Sequence, residues 1–505
     1  MFFRRWTEIL TFSPGDAYVL RVPPEPVQYY AAIVNTLQVG VIFCLFTLLI
    51  SRWRSGPLCR LSRMIWLLTL LKPLDAIRKV ALETMPSIKH FLMQLIGDGR
   101  APLLILAVGG LMALAFVFWT MSIYRAAWKA LLILAPFVLV TLAQAGWKVL
   151  RYDAEPFRDK PVAAAIASGP STKARIVWIV FDEMDQRLTF EKRYGGLELP
   201  ELDRFRATSV YAAQAYPPSD RTLTSMPGLI SGRMVIRQRP VDPSDISVRF
   251  SNATEPVLWS QQPNVFSRAR QMGFNTALAG WYHPYCRVLA KDLTRCYWRE
   301  GEMFINTTGE RFAEVLWNQL SSALSWSADS SLRSKARIVH VRELLSEALK
   351  IAVDPSVGLA LLHLQGSHSP FVYNRLTGRY DPGDPRKRGY NPKNYMDGAA
   401  LTDLNLGELR REMEGAGVWK NTTVIISSDH WYREANEVDG KIDRRVPFMI
   451  KLSGQTTGAT YERPFNTVLT HDLMLAILRG EVSAPQHVMS WLDEHRESTP
   501  IQPQL

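Results

Sequence analysis

The sequence predicts an α/β fold behind a set of N-terminal transmembrane helices: a sandwich whose central, mostly parallel sheet carries helices on both faces. Three observations predict it. The first 150 residues hold long apolar runs, whereas the remainder of the 505-residue chain mixes short apolar segments with frequent charges. Two segments, ARIVWIVFDEMD from Ala174 and NTTVIISSDHWYRE from Asn421, each pass from a β-branched run into acids. Runs of this kind are strands buried on both faces, as in a parallel sheet. Helical segments expected at Leu199–Ala207, Thr224–Ile230, Arg337–Ile351, Gly398–Gly415 and His471–Leu478 alternate with such strands, the pattern of a sheet covered on both sides.

In the N-terminal part, Tyr29–Ile50 has about the length needed to cross a bilayer. Ala101–Tyr124 and Ala130–Leu150 form two further runs, and the short Arg125–Lys129 connection makes them a helical hairpin. Trp and Tyr near the run ends suit a membrane interface. Between Met64 and Gly97 the apolar groups are interrupted by Lys72, Asp75, Arg78, Lys79, Glu83 and Lys89. Such charges are costly in hydrocarbon, so this stretch reads as amphipathic helices on the membrane surface or packed under the spans. The opening MFFRRW lacks a small-residue cleavage site and does not read as a removable signal. Three spans with the N-terminus inside would put both the later residues and the basic loop outside, against the preference of basic loops for the inside. A further span within the interrupted stretch would reconcile the two. The chain divides into a transmembrane part (1–150), a Pro-, Ala- and Ser-rich linker (151–173), an α/β domain (174–495) and a tail (496–505).

The net charge of +12 raises a nucleic-acid reading. Much of the excess lies between apolar runs, and no zinc-finger spacing, aromatic-basic RNA motif or recognition helix accompanies it. A membrane is the better partner, and no nucleic acid is expected. Four cysteines are too few for a disulfide scaffold. Cys44 reads as a small apolar residue, while Cys286 and Cys296 fit either a disulfide in an oxidising compartment or two thiols.

In open α/β sheets ligands bind at the C-terminal strand ends. Asp182 and Glu183 follow one strand, and Asp429 and His430 follow another. Two strand ends delivering acids and an imidazole to one sheet edge make an oxygen and nitrogen metal site. Between them lies LPELDRFRATSVYAAQAYPPSDRTLTSMPGLISGR. This segment resembles the sulfatase and alkaline phosphatase superfamily pattern, with Leu199–Arg204 matching its first element and Ser231-Gly232-Arg233 its last. The likeness continues through MGFNTALAGWYHPYC, LLHLQGSHSPF, SSDHW and LTHDLMLAILRG, covering roughly residues 174–480.

The resemblance implies a nucleophile ten residues before Gly232, which is Thr222. Sulfatases oxidise a Cys or Ser there to an aldehyde, which a threonine cannot supply, so sulfatase activity is not expected. The Lys of the family's GKWH is Trp281 here and its His is His283. The position of a second-metal Asp is Leu364, which implies one metal, as in phosphoethanolamine and phosphoglycerol transferases. Asp182, Asp429, His430 and the Thr222 oxygen would form its shell, with Glu183 either a further ligand or a hydrogen-bonding neighbour. One imidazole among oxygens suits Zn²⁺ first and Mn²⁺ next, ahead of Mg²⁺. His283, His368 and His471 are expected to bind phosphoryl oxygens or protonate leaving groups, and Arg221 to offset phosphate charge or to sit at the surface. His363 and His487 have no motif support and read as structural. The residues 373–395 read as a loop near His368.

The expected activity is transfer of a phosphoethanolamine- or phosphoglycerol-like group from a lipid donor to an envelope glycan or glycolipid through a phospho-threonine. Hydrolysis of a phosphodiester by the same chemistry is the alternative, and a non-catalytic membrane scaffold a third reading. The likeness implies an integral inner-membrane protein with its catalytic domain periplasmic.

Overall fold

A computed structural model describes residues 6, 10, 18, 25–53, 55–84, 101–166, 174–299, 311–324, 330–381 and 392–501. The chain forms two compact units. One comprises Met1–Phe12, Pro23–Asp153 and Asn306–Asp329, and the other Ser13–Val22, Ala154–Ile305 and Ser330–Leu505.

The second unit is built on an eight-stranded sheet. Its strands are numbered here in chain order: β1 Ile176–Phe181, β2 Val210–Ala212, β3 Thr276–Trp281, β4 Arg295–Arg299, β5 Leu359–Leu364, β6 Thr423–Ser427, β7 Phe448–Lys451 and β8 Ala459–Tyr461. The order across the sheet is β8-β2-β7-β6-β1-β5-β3-β4. The run β6-β1-β5-β3-β4 is parallel, while β7 is antiparallel to both of its neighbours. β1 lies at its centre because IVWIVF is apolar on both faces and every residue is buried. Alternate side chains then feed opposite layers. Ile176, Trp178 and Val180 join a core with Met226, Phe266 and Leu473, and Val177, Ile179 and Phe181 join another with Leu344, Ala348 and Leu409.

Helices Thr222–Ser231, Val265–Gln271 and Thr470–Leu478 contribute to the first layer, and Pro200–Ala207, Ser330–Ala352 and Pro392–Gly415 to the second. Each helix expected from the sequence lies within one of these, apart from one-residue differences at Leu199. Residues expected as a loop contain a short hairpin, Tyr373–Asn374 with Arg379–Tyr380; 382–391 lie outside the described residues. Cys286 and Cys296 are disulfide-bonded.

The first unit contains helices Pro26–Ile50, Gly56–Thr69, Leu71–Thr84, Ala101–Leu150 and Phe312–Leu324. Pro26–Ile50 and Phe116–Leu150 are long and apolar enough to cross a membrane. The expected hairpin is not formed. The helical path runs on through Arg125–Lys129, and within residues 101–150 two helices meet instead at a kink with non-helical angles at Trp119. The connecting sequence Arg125-Ala-Ala-Trp-Lys129 has no Gly, Pro, Asn or Asp to make a turn, and alanine and the basic residues favour continuation. Among its polar groups, Asn35 Nδ2 donates to the Leu316 carbonyl at 3.0 Å, and Gln319 Nε2 donates to the Gln28 carbonyl at 3.0 Å. Helix Phe312–Leu324 thus docks on Pro26–Ile50 through amides, leaving Trp317 exposed. Residues 85–97, the remainder of the interrupted stretch, lie outside the described residues.

Candidate active site

Parallel neighbours present their C-terminal ends on one edge, and β6, β1 and β5 are paired in register, with Val180 opposite Ser427 and His363. Asp182 therefore follows β1 beside His363 near the end of β5, and Asp429 with His430 follows β6. Their side chains converge. Ligand atoms of Asp182, His363 and Asp429 all lie within 4.8 Å of one another. His430 Nε2 stands 3.4 Å from Asp182 Oδ1 and 3.6 Å from Asp429 Oδ2. Thr222 Oγ1 lies 3.4 Å from Asp182 Oδ2 and 3.4 Å from His430 Nε2. None of the five residues is more than 4% exposed.

Thr222 is the first residue of helix Thr222–Ser231, with Arg221 at its N-cap. The first N–H groups of a helix have no partner within it and carry the positive end of its dipole, so an anion is favoured beside this hydroxyl. The Arg221 side chain is mostly exposed and 3.6 Å from Asp220.

The cluster carries the marks of a cation site. Burial, then the charges of Asp429 and Glu183, push the Asp182 carboxyl well above its ordinary range. Burial pushes His363 down to about 4, which keeps it neutral at pH 7. Asp182 Oδ1, Asp429 Oδ2 and His363 Nε2 are buried without a hydrogen bond. His430 Nδ1 lies 2.8 Å from the Trp431 carbonyl, which can only accept, so the proton sits on Nδ1 and the Nε2 lone pair faces the acids. Buried lone pairs gathered round one point are costly unless a cation meets them. Two carboxylates, one or two imidazoles and a hydroxyl fit a divalent metal.

Glu183 stands beside this centre and turns elsewhere. Its Oε1 accepts from Arg433 Nε at 3.1 Å, and its Oε2 is 3.9 Å from His368 Nε2. Its backbone is left-handed, φ 62°, a strained conformation for a glutamate. His368 donates Nδ1–H to the Ser369 carbonyl and faces Glu183 with Nε2, and burial pushes it down to about 4. His283 is wholly buried, with Nε2 3.0 Å from the Thr222 carbonyl and Nδ1 3.0 Å from the Tyr18 hydroxyl. Both nitrogens are thus engaged by protein, and burial pushes the ring down to about 3. His471 packs against Gly232, where a Cβ would come within 2.5 Å of the ring, and its Nδ1 is 2.7 Å from Asp472. No described contact joins it to Thr222 or the acids. His487 is exposed beside Ser483.

His363, read from the sequence as structural, is instead a member of the cluster. The signal is in its strand. LALLHL is apolar except for this one imidazole, every residue of it is buried, and a buried titratable group needs a partner.

The family described as Sulfatase matches residues 175–479. No curated protein sequence matches the chain. Among solved structures, Ps i-CgsB in complex with k-i-k-neocarrahexaose is similar at 15% identity and a TM-score of 0.43, over 63% of this chain and 74% of that one. The phosphonate monoester hydrolase of Agrobacterium radiobacter is similar at 12% identity and a TM-score of 0.39, over 61% and 74%. The lipoteichoic acid synthase LtaP from Listeria monocytogenes is similar at 15% identity and a TM-score of 0.38, over 61% and 72%. With a family match spanning more than half its length and an acid- and histidine-lined edge on a mostly parallel sheet, this chain belongs to the sulfatase family.

Proposed function

We propose that the protein is a membrane-anchored, metal-dependent phosphotransferase. It moves a phosphoethanolamine- or phosphoglycerol-like group from a lipid donor to an envelope glycan or glycolipid. The observation that carries this reading is a threonine hydroxyl, with no aldehyde precursor, buried 3.4 Å from both Asp182 and His430 at a helix N-terminus. In the first half-reaction a bond forms between Thr222 Oγ1 and phosphorus, and the bond from phosphorus to the lipid oxygen breaks. The lipid leaves as an alcohol, its gained proton balancing the one lost by the threonine. In the second, an acceptor hydroxyl takes the group and Thr222 regains its proton. Asp182 Oδ2 accepts from the Thr222 hydroxyl and holds its lone pairs in one direction.

Asp182, Asp429, His430 and His363 would hold the cation, Zn²⁺ ahead of Mn²⁺. When bound it would favour the ionised hydroxyl and offset phosphoryl charge. The two long apolar helices support a membrane anchor, which suits a lipid donor. The Cys286–Cys296 disulfide supports an oxidising, extracytoplasmic compartment for the catalytic unit.

Headgroup-labelled phosphatidylethanolamine tests the reading. Label on a glycan, with a phospho-threonine peptide containing Thr222 in quenched reactions, supports transfer. Label released only as a soluble headgroup replaces transfer by hydrolysis. Thr222→Ala is expected to lower turnover at least about a thousandfold, and unchanged turnover would remove the nucleophile assignment.

A further inference from the structure

The residues before the first long apolar helix carry an observation that the proposed activity does not use. Ser13–Val22 belongs to the same compact unit as the central sheet. Tyr18 is 1% exposed and lies in the core that includes Ile246, Phe250 and Trp259. Its hydroxyl is 3.0 Å from His283 Nδ1, and His283 Nε2 is 3.0 Å from the Thr222 carbonyl. The direction of this chain is set by its far end. A carbonyl can only accept, so Nε2 carries the proton; a neutral ring then has a lone pair on Nδ1, which takes the Tyr18 O–H. The rings meet edge-on with centroids 5.7 Å apart, which leaves the tyrosine little freedom to turn.

We propose that Tyr18 is a positioning residue for the nucleophile, and that the segment holding it lies on the catalytic side of the membrane, so that the chain crosses the bilayer an even number of times before residue 154. The second part rests on the membrane reading above. Eight positions separate Tyr18 from Pro26. At full extension they reach about 28 Å, short of the roughly 30 Å hydrocarbon core. Pro26–Ile50 therefore starts on the catalytic side, and the chain must return to that side by residue 154. Two spans, Pro26–Ile50 and Phe116–Leu150, satisfy this. Charge agrees. Residues 51–100 carry nine Lys and Arg against three acids, whereas 13–25 carry one against two and 151–165 three against three. The basic loop then faces the cytoplasm and the catalytic unit faces out, which is the arrangement that basic loops prefer. The conflict raised by three spans is removed by having one fewer, not one more.

Two measurements on the full-length protein test this. In Tyr18→Phe only a hydroxyl is lost. With Zn²⁺ and bis(4-nitrophenyl) phosphate as probe, kcat is expected to fall about tenfold with KM within twofold, and the melting temperature to fall by no more than a few degrees. Independently of turnover, amide hydrogen exchange should rise in the peptide bearing Thr222–Met226. Exchange and kcat both unchanged would reduce Tyr18 to packing and overturn the positioning role.

For sidedness, Cys44 and Cys59 are replaced by Ser, and single cysteines are placed by Ser13→Cys, Ser55→Cys and Ser498→Cys. In oriented vesicles, an impermeant maleimide is expected to label positions 13 and 498 from one side and 55 from the other. Labelling of 13 together with 55 and opposite 498 would overturn the even crossing. Labelling of all three from one side would sink the bilayer reading and the crossing count together, while the Tyr18 kinetics would still decide the contact with His283.

Discussion

The amide nitrogens buried between two helices of the first unit and the acids buried in the second are treated in opposite ways. In the first unit, Gln319 and Asn35 donate their amides to backbone carbonyls of the facing helix at 3.0 Å each. In the second, Asp182 Oδ1, Asp429 Oδ2 and His363 Nε2 sit together with no hydrogen bond. A buried polar group that reaches a partner specifies how two elements pack, and one that faces a shared gap is held ready for something outside the chain. The first kind should stabilise the protein when present. The second should stabilise it only when the cation is bound.

The sharpest break of this contrast is Asp182→Asn, which keeps the shape and removes the charge. Zn²⁺ affinity, measured by calorimetric titration of chelator-treated protein, is expected to fall at least about a hundredfold, near 3 kcal/mol. The metal-free variant should melt no lower than metal-free wild type, because a buried charge beside Asp429 and Glu183 is gone. Equal affinity in the two proteins would show that the cluster does not hold the ion.

A second test sets against the site a buried carboxylate that is satisfied. Asp403 accepts from the Leu202 amide at 2.7 Å and the Glu201 amide at 3.3 Å, tying down the start of helix Pro200–Ala207. Burial outweighs these bonds and pushes its carboxyl up to about 6. Between pH 4 and pH 6 the folded chain keeps a proton that the unfolded chain loses, so this group's contribution to stability falls as pH rises through that window and is level above it. The expected span is about 3 kcal/mol. Asp403→Asn should flatten that part of the melting profile and leave Zn²⁺ affinity alone. An unchanged slope would show that the group titrates normally.

How far the sequence reached follows the same division. Asp182, Asp429 and His430 were legible because they end buried strands, and parallel strands must bring such ends to one edge. Thr222 was legible only through motif spacing, since a hydroxyl before a helix is ordinary. His363 was hidden by its neighbours: Leu361, Leu362 and Leu364 make a core strand, and the imidazole among them reads as an exception. Chain path in the first unit was less legible still. Arg125 and Lys129 suggest a break in hydrocarbon, but a turn needs turn-forming residues, and the helix runs through. Nothing in the composition of Phe312–Leu324 distinguishes it from helices that pack on the sheet.

Glu183 sharpens the comparison from within the site. Its left-handed backbone is one that glycine adopts freely, and its carboxylate adds to the charge around Asp182. Glu183→Gly is therefore expected to raise the stability of the metal-free protein by about 1 kcal/mol, while turnover falls at least about tenfold as the link to Arg433 and His368 is lost. A variant both less stable and fully active would mean that the strain serves folding rather than the site.

The smallest effect is expected in the first unit. Gln319→Ala removes the donor to the Gln28 carbonyl, and with it an amide oxygen 3.5 Å from Asn35 Nδ2. Interhelical hydrogen bonds of this kind contribute about 0.6 kcal/mol on average and less than about 2. A loss of about 1 kcal/mol, read from denaturation in mild detergent, is the expected outcome, with metal affinity and turnover on a soluble phosphodiester unchanged. Gln319→Leu should cost less still if the surroundings are lipid, since an apolar side chain there is at no disadvantage, and more if helix Phe312–Leu324 meets water. A gain in stability on either change would mean that these amides are held against their preference, as the acids of the other unit are, and the contrast between the two regions would fail.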